Sequence, residues 1–171
     1  MKHLHMIVCV IGLLISSVCN TGQSFTFDNF KPHHLVFIKR LEGYSNTAYR
    51  DAKGLYTIGI CHLIKPSEKH LKTAFLTDKE VTQLFESDLS ICKAAVEESI
   101  DVPLGEFQYD ALYSLCFNIG ADNFKRSLVV KRLNQNDIKG AANAILLWNK
   151  PANLEYRRRV ERELFLAGRK V

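Results

Sequence analysis

A short stretch between residues 41 and 63 carries the strongest local folding signals in the chain. A helical pattern leads up to Gly43, and glycine is the residue best suited to end a helix. After it come β-forming residues, including the run 55–60, and the turn-forming sequence DAKG, in which Gly54 can adopt positive φ. The stretch therefore predicts a helix that ends at Gly43, followed by a β-hairpin over residues 48–63.

Three polar side chains fall at defined places in this stretch. Glu42 lies in the last turn of the predicted helix, where the negative end of the helix dipole favours a protonated carboxyl group. Asp51 lies in the hairpin turn, where we expect an ionised carboxylate, and Thr57 lies on the returning strand; both are predicted to be exposed. Two such carboxyl groups supply the acid and the base or nucleophile for cleavage of a glycosidic bond, and a hydroxyl can hold the attacking water. A glutamate at a helix end and an aspartate in a turn occur in most proteins. These residues alone therefore do not indicate a glycosidase.

The rest of the chain has the pattern of a mostly helical α+β protein. A helix opened by Pro32 precedes the hairpin, and a lysine-rich loop over residues 64–76 follows it. Thr77 and Glu80 have the spacing of a capping box and open a long helix that ends before Pro103. Further helices are predicted at residues 106–118, 124–133, 137–148 and 154–166. The predicted architecture is a small lobe that carries the hairpin and a helical lobe, joined by the long helix.

Length and composition indicate a globular protein. The chain has 171 residues, 47% of them hydrophobic and 24% charged, which suits one domain with a proper core and excludes a disordered or multi-span membrane protein. The formal net charge of +5 suits an anionic partner such as a cell wall, a membrane surface or a nucleic acid. No nucleic-acid recognition motif accompanies that charge, so nucleic-acid binding is not predicted.

The N-terminus has the pattern of a targeting segment. Residues 6–18 form an uncharged, largely apolar run that is shorter than the roughly 20 residues of a membrane span. Ser17 and Cys19 are small residues at signal-peptidase spacing, which predicts a secretory signal peptide cleaved after Cys19. Two alternatives stay open: an uncleaved membrane anchor, and a lipoprotein signal that uses Cys19, which the bulky Val18 disfavours.

The five cysteines show no metal-binding pattern, because no CxxC or Cys/His spacing is present. Cys9 and Cys19 lie in the targeting segment. Cys92 and Cys116 fall on apolar helix faces, where a buried free thiol is the expected state. No metal and no cofactor are predicted.

The stretch around the three polar residues resembles the phage-type lysozymes of glycoside hydrolase family 24. The shared motif is EG-x(4)-AY-x-D-x-x-G-x-x-TIG-x-x-H, here from Glu42 to His62, with spacings of nine from Glu42 to Asp51 and six from Asp51 to Thr57. Further segments resemble the same family in the same order, namely Phe117-Asn118-Ile119-Gly120, Ser127-Leu128, Leu133-Asn134-Gln135, Trp148-Asn149 and Arg157-Arg158-Arg159. The resemblance extends over roughly residues 30–168.

This resemblance implies a lysozyme-like two-lobe fold and a muramidase that cleaves the β-1,4 bond between N-acetylmuramic acid and N-acetylglucosamine in peptidoglycan. It implies that Glu42 is the proton donor, Asp51 the base or charge stabiliser, and Thr57 the residue that positions water. It also implies three substrate-groove positions, Leu63, Phe117 and Ser127. The expected protein is an exported, cofactor-free monomer that acts on peptidoglycan strands and associates transiently with the membrane through its N-terminal segment.

Residues around the implied site have less certain roles. The resemblance implies that one arginine of 157–159 pairs with Glu42, and that His62 braces the hairpin. The family usually has glycine where this chain has Cys61. That cysteine is either a neutral replacement or, as implied by exported relatives that are controlled by disulfide exchange, a partner of Cys9 or Cys19 that gates activity.

The predicted organisation is a signal peptide or anchor at 1–19, a linker at 20–31 and a catalytic domain at 32–171. Two other functions remain open. A lytic transglycosylase would cut the same bond without water, but such enzymes usually need only the glutamate. A catalytically silent wall-binding protein on the same fold would not need three intact catalytic positions.

Overall fold

The computed structural model describes residues 34–168, with side chains from Phe37 onward. It is mostly helical and contains one three-stranded antiparallel sheet, as predicted. The helices and strands are α1 (His34–Glu42), β1 (Ser45–Arg50), β2 (Tyr56–Gly59), β3 (His62–Leu63), α2 (Asp78–Ser99), α3 (Glu106–Ile119), α4 (Ala121–Lys125), α5 (Leu128–Leu133), α6 (Ile138–Ile145) and α7 (Glu155–Ala167). Short 3-10 helices occupy Pro66–Lys72, Leu146–Trp148 and Ala152–Leu154.

The predicted helix end and hairpin are confirmed. Gly43 follows α1 with a φ of 69°, and its N–H donates to the carbonyl of Lys39 at 2.9 Å, which closes the helix. The sheet order is β1-β2-β3, so β2 is the central strand. Tyr49 pairs with Thr57, and Thr57 pairs in turn with Leu63. The hairpin begins at Ser45 and gains a short third strand, β3.

The long helix α2 joins this small lobe to the helical lobe. Its N-terminus is the predicted capping box: the Thr77 N–H donates to Glu80 Oε2 at 2.7 Å, and the Glu80 N–H donates to Thr77 Oγ1 at 3.3 Å. The helix ends at Ser99, before Pro103. One face of α2 is buried in the core, at Val81, Phe85, Leu89, Cys92, Ala95 and Val96. The central helix α3 packs against α1, α2, α4 and α7, so it forms the middle of the helical lobe.

Several boundaries differ from the prediction. The segment predicted as a loop at 64–76 contains the 3-10 helix Pro66–Lys72. The helix predicted at 124–133 is two helices, because the Ser127 hydroxyl accepts the Val130 N–H at 3.3 Å and starts a new helix there. The helix predicted at 137–148 is α-helical only to Ile145.

The prediction of free thiols at Cys92 and Cys116 is wrong, because these residues form a disulfide. The two apolar faces on which they lie pack against each other and bring the Cα atoms to 5.7 Å, within the range that a disulfide spans. The bond ties α2 to α3 across a sequence separation of 24 residues. By constraining the unfolded chain, a loop of this size contributes roughly 3 kcal/mol of stability.

The predicted signal peptide or anchor at 1–19 and the linker at 20–31 lie outside the described residues. Between residues 34 and 168, no helix has the length and apolar character needed to cross a membrane.

Candidate active site

Glu42 is the last residue of α1 and is only 4% exposed. Arg157 on α7 donates a hydrogen bond from Nη1 to Glu42 Oε1. The expected arginine partner is therefore Arg157. An uncompensated buried carboxylate would be costly, so this ion pair fixes the position of the Glu42 carboxyl group.

Arg157 is itself held by a buried network that the sequence did not reveal. Its Nε donates to Glu161 Oε1 at 2.8 Å, and its Nη2 donates to the carbonyl oxygen and to Oγ of Ser114, both at 3.1 Å. Ser114 Oγ also donates to Glu161 Oε1 at 2.7 Å. Burial alone would lower the pKa of Arg157, but the charges of Glu42 and Glu161 outweigh it and raise that pKa. The single positive charge of Arg157 is thus shared between the carboxylates of Glu42 and Glu161.

Arg158 belongs to the same buried network. It donates to Glu161 and to Asn118 Oδ1, and its Nε donates to the carbonyl oxygen of Trp148 at 2.8 Å. Arg158 is fully buried, whereas Arg159 is exposed. The three consecutive arginines therefore have different environments.

Asp51 organises the turn between β1 and β2. Its Oδ1 atom accepts the backbone N–H groups of Lys53 and Leu55, both at 2.8 Å. The backbone closes the turn as well, since Gly54 N–H donates to the carbonyl of Asp51 at 2.8 Å. Within residues 34–168, Asp51 Oδ2 makes no hydrogen bond. One carboxylate oxygen is thus fixed by the turn, and the other is left for chemistry.

Tyr49 is affected by the charges of both carboxylates. Burial, followed by the negative charges of Glu42 and Asp51, raises the pKa of Tyr49 to about 12. Tyr49 is paired in register with Thr57, and Asp51 follows directly after β1, so the hairpin holds Asp51 and Thr57 beside this phenol. Glu42 ends the helix that precedes the hairpin. In the sequence, Tyr49 is a β-forming residue of the predicted hairpin and part of the family motif, and neither feature assigns it to the site.

The prediction that Thr57 is exposed is wrong. Its side chain is 2% exposed because β2 is the central strand of the sheet. Thr57 Oγ1 donates to the carbonyl of Leu55 at 3.4 Å, a long and therefore weak hydrogen bond. Among the described residues, 34–168, the hydroxyl group thus has no strong partner.

Cys61 contacts the same site. It has a φ of 59°, the left-handed conformation that favours glycine, which explains why a glycine suits this position. Its Sγ atom is buried and lies 3.4 Å from Glu42 Oε2. The partners predicted for it, Cys9 and Cys19, lie outside the described residues.

His62 braces the small lobe, in keeping with the expectation from the sequence. Its Nδ1 lies 2.8 Å from Asp88 Oδ2 on α2, and its Nε2 lies 3.1 Å from Glu68 Oε2. Burial lowers the pKa of His62, but the hydrogen bonds and charges of Asp88 and Glu68 together outweigh burial and raise it. Because both ring nitrogens are engaged and the side chain is 3% exposed, His62 has a structural role.

Two of the three predicted groove residues share a cavity. Leu63 and Phe117 line a largely apolar cavity of about 250 Å³ between the lobes, together with the Cys92–Cys116 disulfide. Ser127 does not line it and instead caps α5. Among residues 34–168, no group of three or more His, Cys, Asp or Glu side chains is placed to hold a metal ion.

The two lobes, the cavity between them and the carboxyl pair Glu42 and Asp51 define a glycosidase of the lysozyme type. The chain belongs to the phage lysozyme family, whose model matches residues 39–162. It is 40% identical over 135 residues to the endolysin of Salmonella phage P22, covering 76% of this chain and 92% of that protein. It is 34% identical over 133 residues to the SAR-endolysin of Enterobacteria phage P21, covering 75% of this chain and 79% of that protein. The solved structure of the endolysin from Escherichia coli O157:H7 phage FAHEc1 superimposes with a TM-score of 0.74 at 30% identity, covering 84% of this chain and 98% of the other.

Proposed function

We propose that this enzyme hydrolyses the β-1,4 bond between N-acetylmuramic acid and N-acetylglucosamine in peptidoglycan. The observation that carries the proposal is the pairing of two different carboxyl groups beside Tyr49. Glu42 is buried and held by Arg157, whereas Asp51 lies on a solvent-facing turn. Two carboxyl groups in unlike environments are the arrangement that separates an acid from a base in glycosidases.

Glu42 is the proposed proton donor to the leaving oxygen. Its position is fixed by the hydrogen bond from Arg157, so the proton is delivered from one place. The charge of Arg157 is divided between Glu42 and Glu161. Arg157 therefore keeps a carboxylate partner, Glu161, during proton transfer at Glu42.

Asp51 is the proposed base or charge stabiliser, and Thr57 the proposed holder of the attacking water. Asp51 has one oxygen engaged in the turn and one without a hydrogen bond among the described residues. Within the described part of the chain, the Thr57 hydroxyl makes one long hydrogen bond, to Leu55, so it can turn towards a water molecule. This arrangement suits inversion at the sugar carbon, for which two carboxyl groups lie about 6.5–9.5 Å apart.

Leu63 and Phe117 are proposed to contact the apolar faces of the sugar rings, because both line the cavity between the lobes. Ser127 is the least supported groove residue, since its hydroxyl caps a helix. The glycan strand is the proposed partner, and the enzyme is proposed to act as a monomer.

The proposed location is outside the cytoplasm, with the N-terminal segment either cleaved or serving as a membrane tether before release. The uncharged run at residues 6–18 supports this proposal, as does the similarity to proteins named SAR-endolysins, a name that refers to a signal-anchor-release segment. Cys61, in contact with Glu42, is the position at which disulfide exchange with Cys9 or Cys19 would act on catalysis.

Mass spectrometry of the muropeptides released from purified peptidoglycan tests the bond and the mechanism. Hydrolysis predicts products that end in reducing N-acetylmuramic acid. Anhydro-muramic ends would instead identify a lytic transglycosylase. Binding to the wall without any released product would identify a silent wall-binding protein.

A further inference from the structure

Positive charge is concentrated in the small lobe, residues 34–76. This lobe has seven lysine and arginine residues against three acidic residues, whereas residues 77–168 have twelve against fourteen. Two of the three acids, Glu42 and Asp51, belong to the candidate active site, and the third, Glu68, is bonded to His62. Residues 34–76 therefore carry a formal excess of four positive charges, seven against three.

Two of these cations lie against one aromatic ring. The Arg50 guanidinium carbon lies 4.2 Å from the centroid of the Tyr56 ring, and Lys72 Nζ lies 4.5 Å from the same centroid. Arg50 is also fixed by a hydrogen bond from Nη1 to the carbonyl of Gly54 at 2.6 Å. In the described part of the chain, neither Arg50 nor Lys72 forms an ion pair with a carboxylate.

This group lies on the side of the hairpin away from the candidate active site. Side chains alternate between the two faces of a strand, so Tyr56 and its neighbour Thr57 point to opposite faces. Thr57 is paired with Tyr49, and Asp51 lies two residues after Tyr49 on the same side, so these residues mark the catalytic face. Arg50 is paired with Tyr56, and both therefore belong to the opposite face.

The surface continues into the segment after the hairpin. Lys69 and Lys72 are exposed and three residues apart on a 3-10 helix, in which residues with this spacing lie on one side. Phe75 follows, and its apolar side chain is 76% exposed. Phe75 lies three residues after Lys72 and pairs with Thr47, so it lies at the open edge of the sheet, beside β1.

We propose that this basic aromatic face, formed by Arg50, Tyr56, Lys69, Lys72 and Phe75, docks on a bilayer that contains anionic phospholipid. Cations complement the headgroup charge, and tyrosine and phenylalanine are stabilised at the boundary between headgroups and acyl chains. A soluble anionic polymer could pair with the cations, but it would provide no apolar environment in which the Phe75 side chain could be buried. Docking through this face leaves the candidate active site on the other side of the hairpin, turned away from the lipid.

The test is co-sedimentation of the full chain with vesicles of phosphatidylcholine alone and with added phosphatidylglycerol. The N-terminal segment contributes to binding at both vesicle compositions. The increase in binding on adding phosphatidylglycerol therefore measures the contribution of the charged face. Each cation near an anionic surface strengthens binding about fivefold. In R50Q/K72Q, which lacks two cations, the increase in binding affinity should therefore be about 25-fold smaller. Because Arg50 contacts the hairpin turn, K69Q/K72Q serves as a second variant that leaves the turn intact.

The matched control is K131Q/K139Q, which removes two exposed charges from the helical lobe and should leave the gain unchanged. Equal gains for R50Q/K72Q, K69Q/K72Q and the control would overturn the proposal. Weaker binding of R50Q/K72Q to an anionic wall polymer, with unchanged binding to phosphatidylglycerol vesicles, would show that lipid is the wrong occupant. The assay contains no peptidoglycan, so its outcome is independent of the proposed glycosidase reaction.

Discussion

Cys61 Sγ lies 3.4 Å from Oε2 of Glu42, at a residue whose φ is 59°. A side chain therefore occupies a backbone position that favours glycine, and it contacts the proposed proton donor. The departure from the family motif is thus a difference in the active site itself.

Under reducing conditions, in which Cys61 forms no disulfide, replacing it with glycine should stabilise the protein and should not reduce activity. A non-glycine residue in the left-handed conformation costs roughly 1–2 kcal/mol, so C61G should raise Tm by about 2–8 °C. Tm and wall-clearing rate should be compared with the wild type, both in reductant. The matched control is N136G, at another non-glycine residue with positive φ, which should not affect activity. A loss of activity in C61G would show that the sulfur takes part in catalysis.

Arg157 should be needed for the position of Glu42 as well as for stability. R157Q breaks a buried ion pair and should destabilise the fold by about 3–5 kcal/mol. R157K keeps the charge but loses the forked geometry, so it should lower kcat more than KM. The control is R159Q, at an exposed neighbour. An R157K variant with the wild-type kcat would contradict the positioning role.

Two substitutions at Asp51 should separate its chemical role from its role in the turn. D51N retains an oxygen that can accept the N–H groups of Lys53 and Leu55, so Tm should stay within about 1 °C while activity falls at least ~100-fold. D51A removes the acceptor and should also cost roughly 1–2 kcal/mol. Thermal melts and wall-clearing rates of the pair check both effects. A strongly destabilised D51N would mean that the carboxylate charge holds the turn.

His62 should make stability depend on pH. Its pKa is raised in the folded state, so its contribution is complete below the ordinary value of about 6.5 and is lost as pH rises through the raised pKa. The pKa of Glu68 is lowered, mainly by the backbone hydrogen bond from Lys65, so its contribution is lost as pH falls below about 4.5. Stability should therefore be greatest in the mildly acidic range.

Urea unfolding of the wild type and H62Q between pH 4 and pH 9 measures this dependence. The wild type should lose up to ~1.4 kcal/mol per pH unit above pH 6.5, and H62Q should lack that loss. The control is H70Q, at an exposed histidine, which should follow the wild type. Equal slopes for H62Q and the wild type would contradict the proposed bracing by Asp88 and Glu68.

Local signals in the sequence predicted much of the small lobe. Gly43 ends α1, the capping box of Thr77 and Glu80 opens α2, and the hairpin brings Asp51 and Thr57 to one site. These features depend on residues close together in the chain, so short-range rules were sufficient.

Features that depend on packing between distant segments could not be predicted. The disulfide joins cysteines on two helices, and only the packing of α2 on α3 brings them together. The burial of Thr57 depends on β3, which makes β2 a central strand. The choice of Arg157 among three arginines depends on the rotation of α7 about its axis, which its contact with α3 fixes.

The most direct test of the account is the rate at which E42Q releases muropeptides from purified peptidoglycan. Glutamine is nearly isosteric with glutamate but cannot donate an acidic proton, so release should fall at least ~100-fold while circular dichroism shows a folded protein. The wild type should release products with reducing N-acetylmuramic ends. A folded E42Q that releases the same products at the wild-type rate would contradict the assignment of Glu42 as the proton donor.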